Sequence, residues 1–347
     1  MRPLLPLTAL VLVLAGCGGA AGEDAAQTTG ETVDDRSAEL ARDFAGEGWE
    51  TDFSRREVSL TEFQSGGPPR DGIPPIDEPK FVTVAAAEGD IGDREPVILV
   101  EHGGEVRAYP INILIWHEIV NDTIGGTPVA VTFCPLCNTS IVFDRRVGGE
   151  TLDFGTTGKL RNSDLVMWDR QTESWWQQFG GEGLVGRYAG ERLEQLPARI
   201  AGWGEVKRDF PAARVLSRDT GHSRAYGQNP YAGYDDVDTP PFFGAANDDD
   251  DRLPPKERVV YIERGKDAVV VPFSVLERKR ELEVEVGGEQ LVVRWRKGVA
   301  SALDSGEIEQ GRDVGAAEVV SGGKLVPFDQ PFWFAVAAFR PDARIVR

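Results

Sequence analysis

The apolar residues of this chain follow the two-residue period of β-strands in most of its regular segments. The clearest case is ELEVEVGGEQLVVRW at 281–295, where apolar and polar residues alternate on both sides of a Gly-Gly pair. Alternation around a two-residue glycine turn is the signature of a β-hairpin. The segment PVILVEHGGEVRAYP at 96–110 has the same arrangement, and Pro110 is well placed to begin a short helix. The pattern therefore predicts many β-hairpins with short helices between them.

The chain also contains an internal duplication. Residues 96–140 align without a gap to residues 258–302 at a constant offset of 162, and the turn glycines and the prolines coincide. A second block, 203–216, aligns to 333–346 at an offset of 130, so the first copy holds 32 extra residues between its two blocks. We therefore expect a β-rich α+β fold made of two related halves, each built as hairpin, helix and hairpin.

The chain begins with a short apolar run that is typical of a secretory signal. One positive charge, Arg2, precedes the mainly apolar residues 4–14, and the tetrapeptide LAGC then ends at Cys17. This ending resembles a bacterial lipobox, in which the Cys becomes the first residue of the mature chain and carries lipid. Because the run is too short for a spanning helix, we predict an extracytoplasmic protein that is anchored to the cell membrane through lipid on Cys17.

Composition and the duplication divide the chain into five parts. We predict a signal peptide over 1–17, an acidic flexible tether over 18–50, a first half over 51–216, a connecting loop rich in Gly, Pro, Tyr and Asp over 217–257, and a second half over 258–347. A connection as long as 217–257 is usually a functional cover or disordered, and its aromatic residues favour a cover. The net charge of −19 argues against nucleic acid as a partner.

The two halves differ most at a pair of thiols. Cys134 and Cys137 follow the strand-like VTF of the first half, where the second half has RKGV. An exported protein can form disulfides, but these are the only cysteines left once Cys17 is set aside. If the Gly-Gly turn at 125–126 sets the register, residues whose numbers sum to 251 face each other, and His117 lies across from Cys134.

These residues permit three kinds of chemistry. Cys134, Cys137 and His117 are ligand types that suit zinc or copper, and Met167 would favour copper if its thioether reached the thiols. A thiol-disulfide oxidoreductase, with Cys134 as the nucleophile and Cys137 as the resolving thiol, is the second possibility. The third is a structural or adaptor domain with one local disulfide. Whether the protein is an enzyme stays open at this point.

A polar segment, GTTGKLRNSDLVMWDRQT at 155–172, lies within the insertion of the first half. Arg161 is a candidate for binding an anion or a polar substrate, with Asp164 and Asp169 beside it. Ion pairs that brace a loop are the structural alternative. The sequence contains no Ser-His-Asp order, phosphate loop or HExxH motif.

Three segments taken together, FCPLCNTSIVFDR, GTTGKLRNSDLVMWDRQTESWWQQ and SRAYGQNPYAGYD, resemble the bacterial and archaeal domain-of-unknown-function family numbered 3179. The resemblance covers about Pro69 to Arg347. It implies that the three segments belong to one site and that the protein is secreted or lipid-anchored. It implies no activity, because the family has none assigned.

Overall fold

β-Strands supply most of the regular structure between residues 33 and 347, the part of the chain that this computed structural model describes. Strands account for 38% and helices for 14% of the structure. The strands are β1 (Gln64–Ser65), β2 (Phe81–Thr83), β3 (Pro96–His102), β4 (Glu105–Pro110), β5 (Ile119–Ile124), β6 (Thr127–Cys134), β7 (Thr139–Asp144), β8 (Arg146–Val147), β9 (Glu150–Thr151), β10 (Phe154–Arg161), β11 (Asp164–Asp169), β12 (Trp175–Gln177), β13 (Gly183–Val185), β14 (Gln195–Leu196), β15 (Arg199–Gly202), β16 (Arg214–Leu216), β17 (Val259–Arg264), β18 (Asp267–Pro272), β19 (Glu281–Val286), β20 (Glu289–Arg296), β21 (Ala316–Ser321), β22 (Lys324–Leu325) and β23 (Arg344–Ile345). The α-helices are α1 (Val33–Gly46), α2 (Ile111–Leu114), α3 (Trp203–Asp209), α4 (Phe273–Lys279) and α5 (Trp333–Phe339).

Five sheets form the blades of a β-propeller. The strand orders are β1-β10-β11-β12-β13, β14-β7-β6-β5, β15-β3-β4-β16-β2, β17-β18-β23 and β19-β20-β21-β22, and a separate ribbon pairs β8 with β9. Strand β11 is buried along its whole length, and β3 is buried from residue 96 to residue 100. Such continuous burial follows from the architecture, because both faces of a blade pack against other parts of the protein.

The expected α+β fold of two hairpin-helix-hairpin halves is wrong. The chain does run from hairpin to short helix to hairpin over 96–134 and again over 259–296, but the two hairpins of each segment belong to different sheets. Each segment thus contributes to two blades, and the fifth blade consists mainly of β10 to β13 from the insertion. The internal repeat is therefore only loosely compatible with the blades.

The hairpin of β5 and β6 has the register that its glycine turn predicts. Residues whose numbers sum to 251 face each other from Ile124 and Thr127 to Ile119 and Thr132. The ladder ends there, because Glu118 has a φ of 59°. This is the left-handed region, which a glutamate rarely adopts, and it turns the chain away from the strand direction.

The connecting segment 217–257 is an ordered cover over the turn that holds the thiols. Helices and strands of more than one residue are absent from it. The hydroxyl of Tyr234 donates to the carbonyl of Leu136 at 2.8 Å, and Tyr234 is 2% exposed. Lys256 Nζ donates to the carbonyl of Tyr234 and to Thr239 Oγ1, which fixes the end of the segment to its middle.

Helix α1 lies in the part of the chain that was expected to be a flexible tether. Phe44 in this helix is buried, and its ring centroid lies 5.1 Å from that of Trp175. The folded region therefore includes residues well before position 51. The predicted signal and Cys17 lie outside the described residues. None of the helices between residues 33 and 347 is long and apolar enough to span a membrane.

Candidate metal centre

The two thiols lie in the tight turn between β6 and β7. Cys134 is the last residue of β6 and pairs with Thr139, the first residue of β7. Asn138 has a φ of 57°, which reverses the chain just after Cys137. Both cysteines are free, and they are 1% and 0% exposed. The turn thus places two thiols inside the protein.

Asp164 brings a carboxylate to these thiols from the next blade. Its Oδ1 accepts a hydrogen bond from Cys137 Sγ at 2.8 Å. Its Oδ2 accepts from Gln177 Nε2 at 2.5 Å and from the backbone N–H of Phe179 at 2.8 Å. One oxygen is therefore fixed by the protein, and the other faces the sulfur.

The ligand atoms of Cys134, Cys137 and Asp164 all lie within 4.8 Å of one another. Within residues 33–347, no other group of three His, Cys, Asp or Glu side chains meets this criterion. Two sulfurs and one oxygen at this separation can hold a single metal ion. The sequence had assigned Asp164 to a substrate pocket, whereas the structure places it with the cysteines.

The titratable groups around the thiols are acids, and each is shifted toward its protonated form. Burial raises the pKa of Cys134 and raises that of Cys137 well above its usual range, and the charge of Asp164 adds to both effects. Burial also raises the pKa of Asp164, against the pull of its hydrogen bonds. Burial raises the pKa of Glu118 to about 8, with a further contribution from Asp164. Without a metal the thiols are neutral at pH 7.

A series of hydrogen-bonded buried side chains begins beside the sulfur of Cys137. The hydroxyl oxygen of Thr139 lies 3.0 Å from the Cys137 sulfur and donates its proton to Gln178 Oε1. Gln178 Nε2 donates to Thr132 Oγ1 at 2.8 Å, and that hydroxyl donates to the carbonyl of Ile141 at 2.7 Å. The arrangement fixes the Thr139 side chain beside the sulfur.

His117 does not reach the thiols, because the strand ladder ends before it. Its Nδ1 lies 2.7 Å from the carbonyl of Pro74, and its Nε2 lies 2.7 Å from the hydroxyl of Tyr226. Burial lowers the pKa of His117 to about 4, so the ring is neutral. A neutral ring has one donor and one acceptor: Nδ1–H donates to Pro74, and Nε2 accepts from Tyr226. Both nitrogens are in use.

Met167 is a core residue of β11. It is fully buried, and its partners in the sheet are Thr156 and Trp176. Asp169, at the end of the same strand, accepts hydrogen bonds from Trp176 Nε1 at 2.9 Å and from the backbone N–H of Thr172 at 2.7 Å. Asp169 therefore braces the turn after β11.

Arg161 is joined to the thiol cluster only through a shared glutamine. It donates to Glu62 Oε2 at 2.8 Å and to Gln177 Oε1 at 3.2 Å. Gln177 in turn donates to Asp164. The guanidinium is thus paired with Glu62 and orients the amide that orients the carboxylate. Sequence reasoning missed Gln177, which carries no motif of its own.

The three segments that were expected to share one site do meet here. The first carries Cys134 and Cys137, the second carries Asp164, and the third supplies Tyr234, whose hydroxyl donates to the carbonyl of Leu136 between the two cysteines. Tyr226 of the third segment bonds to the histidine that precedes Glu118. The site is therefore assembled from two blades and the cover.

A family model described as "Protein of unknown function (DUF3179)" matches residues 70–343 of the chain. No curated protein and no solved structure matches it significantly.

Proposed function

This chain belongs to the DUF3179 family of proteins of unknown function, as its sequence predicted, and we propose that it binds one transition metal ion, zinc in preference to copper, through Cys134, Cys137 and Asp164. The observation that carries this proposal is the meeting of two thiols and one oriented carboxylate oxygen inside the protein. The donor atoms come from two blades, so the folded domain forms the site.

The donor set fits a tetrahedral ion. Zinc binds sulfur at about 2.3 Å and carboxylate oxygen at about 2.0–2.2 Å, so its sulfur and oxygen ligands stand about 3.5 Å apart. Cys137 Sγ and Asp164 Oδ1 now lie 2.8 Å apart because they share a proton. A metal ion that replaces this proton would increase the distance between the two atoms by less than ~1 Å. Side-chain torsions can absorb a shift of this size.

The surroundings of Asp164 favour ligation. Gln177 and the N–H of Phe179 both bind Oδ2, which leaves Oδ1 directed at the thiols. Partners of this kind orient a metal-binding carboxylate, and their loss typically costs about 10–100-fold in metal affinity. Gln177 is itself held by Arg161.

The electrostatics favour a cation over a redox dithiol. A nucleophilic thiolate needs a lowered pKa, from a helix N-terminus or a nearby positive charge. Here burial raises the pKa of Cys134, the acids Asp164 and Glu118 raise it further, and a β-strand follows the pair. A metal ion would supply the missing positive charge. A carboxylate among the donors favours zinc over copper(I), which prefers soft sulfur ligands.

Export and lipid anchoring rest on residues 1–17 alone. We propose them on the strength of the lipobox that ends at Cys17. The membrane, reached through this lipid, would then be the protein's one identified partner. A mass measurement of the mature protein from its cell envelope tests this: diacylglyceryl-Cys at the new N-terminus is expected, and an unprocessed N-terminus would contradict it.

Metal content tests the proposed function. After equilibration with zinc and gel filtration, the protein and the control Asp169→Asn should carry stoichiometric zinc, because Asp169 lies on the same strand but braces a turn. Cys137→Ser and Asp164→Asn should bind zinc at least about 10–100-fold more weakly, since the loss of a ligand should cost no less than the loss of a partner that orients one. A metal-free wild-type protein, or an Asp164→Asn variant that keeps its zinc, would contradict the proposal.

A further inference from the structure

Glu118 is a buried acid without a partner. It is 6% exposed, and its carboxylate makes no hydrogen bond or ion pair with any of residues 33–347. Burying a carboxyl group without a compensating bond costs stability. Its backbone adds a second cost, since a φ of 59° is unfavourable for any residue with a branched or long side chain. A glycine at this position would remove both costs.

The backbone places Glu118 directly beside the thiol turn. Its carbonyl accepts a hydrogen bond from the N–H of Phe133 at 2.8 Å, and Phe133 immediately precedes Cys134. The carboxyl group also lies close enough to interact with the charges of Asp164 and Cys134.

Glu118 lies where the strand ladder between β5 and β6 ends. One residue later, Ile119 pairs with Thr132 in a regular ladder. The left-handed conformation interrupts that ladder and turns the side chain out of the strand alternation. Strain of this kind persists where the surrounding structure holds it in place, and it clusters at ligand-binding sites.

We propose that Glu118 is the fourth protein ligand of the metal ion, and this inference rests on the function proposed above. The site would then hold two sulfur and two oxygen donors from Cys134, Cys137, Asp164 and Glu118. Glu118 lies outside the group of atoms within 4.8 Å of one another, so its side chain rotates inward as the ion binds. Four protein ligands leave no position on the metal ion for water or substrate. The protein therefore stores or transfers the ion, or uses it to stabilise its structure, and does not use it to catalyse hydrolysis.

Cobalt(II) serves as the probe, because its visible absorption reports coordination number and its near-ultraviolet absorption reports sulfur ligation. The variants are Glu118→Gln and, as a matched control, Glu95→Gln. Glu95 is a glutamate 5% exposed whose carboxylate bonds to Asn112. The full chain and both variants are titrated with Co²⁺ under reducing conditions.

The wild-type protein and Glu95→Gln should show intense bands typical of a tetrahedral ion. Glu118→Gln should bind Co²⁺ about 10–100-fold more weakly, with weaker visible bands because water enters the coordination sphere. Glu118→Gly suits the positive φ and should give the same loss, which keeps the test open if the Gln variant folds poorly. Equal affinity and equal spectra for Glu118→Gln and the wild type would overturn the inference. If the wild type itself shows no sulfur-to-cobalt band at saturating Co²⁺, the proposed function is wrong, and the inference about Glu118 is wrong as well.

Discussion

Replacing Glu118 with Gln should stabilise the metal-free protein, by an amount that grows with pH. A carboxyl group whose pKa is higher in the folded than in the unfolded chain binds its proton more tightly when folded. Its contribution to stability is therefore complete below the unfolded pKa and is lost as the pH rises through the folded pKa. For Glu118 these two values are 4.5 and about 8. Glutamine has no proton to lose and avoids this penalty.

The magnitude follows from the same two pKa values. A shift of this size corresponds to about 4 kcal/mol of unfolding free energy that the wild type loses between acidic pH and pH 8. The advantage of Glu118→Gln should accordingly grow from about 1 kcal/mol at pH 5 to about 4 kcal/mol at pH 8. Buried acids that do not interact with Glu118 cancel from the difference.

Urea unfolding in the presence of a chelator, followed by tryptophan fluorescence at pH 5, 6, 7 and 8, measures this difference. Adding zinc gives an internal control. If zinc binds the wild type 10–100-fold more tightly than it binds Glu118→Gln, it should reduce the stability difference between the two proteins by about 1.4–2.8 kcal/mol. A difference that stays constant across this pH range would refute the reasoning, since it would mean that Glu118 is ionised as readily in the folded as in the unfolded chain.

Three further predictions concern neighbouring residues. Asp329→Asn should also stabilise the metal-free protein at pH 8, because burial raises the pKa of Asp329 to about 7. The same variant should bind Co²⁺ as tightly as the wild type, and a weaker affinity would indicate that Asp329 is a ligand. His117→Gln should bind zinc as tightly as the wild type in a dialysis assay, because both ring nitrogens of His117 are bonded elsewhere; a lost ion would restore the histidine to the ligand set. Tyr234→Phe should speed modification of the thiols by a disulfide reagent about 5–10-fold, because it removes one hydrogen bond of about 1 kcal/mol from the cover. The control Tyr261→Phe should leave the rate unchanged. Equal rates for Tyr234→Phe and the wild type would mean that the cover does not limit access to the thiols.

The local structure was predictable because its signals are local. The alternation around the Gly-Gly turn at 125–126 set the register of β5 and β6, and the structure has that register. The assignment of strands to blades was not predictable in this way. Strand β15 joins β3 from about a hundred residues away, and β1 joins β10 across a similar distance. No periodicity in the sequence records such partners, so the hairpins were grouped into two halves instead of five blades.

The site shows the same division. Cys134 and Cys137 are visible as a motif, and Asp164 was recognised as a polar residue of the insertion. Its partnership with Cys137 was not, because the contact joins two blades. His117 was expected opposite the thiols because the register was extended past the point where the ladder stops. The cause is the left-handed backbone of Glu118, which no residue pattern announces.

X-ray absorption spectroscopy of the zinc-loaded protein tests the central claim most directly, because it counts the atoms bound to the ion. Two sulfur atoms at about 2.3 Å and two oxygen atoms at about 2.0–2.2 Å are expected, from Cys134, Cys137, Asp164 and Glu118. A spectrum without sulfur neighbours, or a protein that retains no zinc to measure, would contradict it.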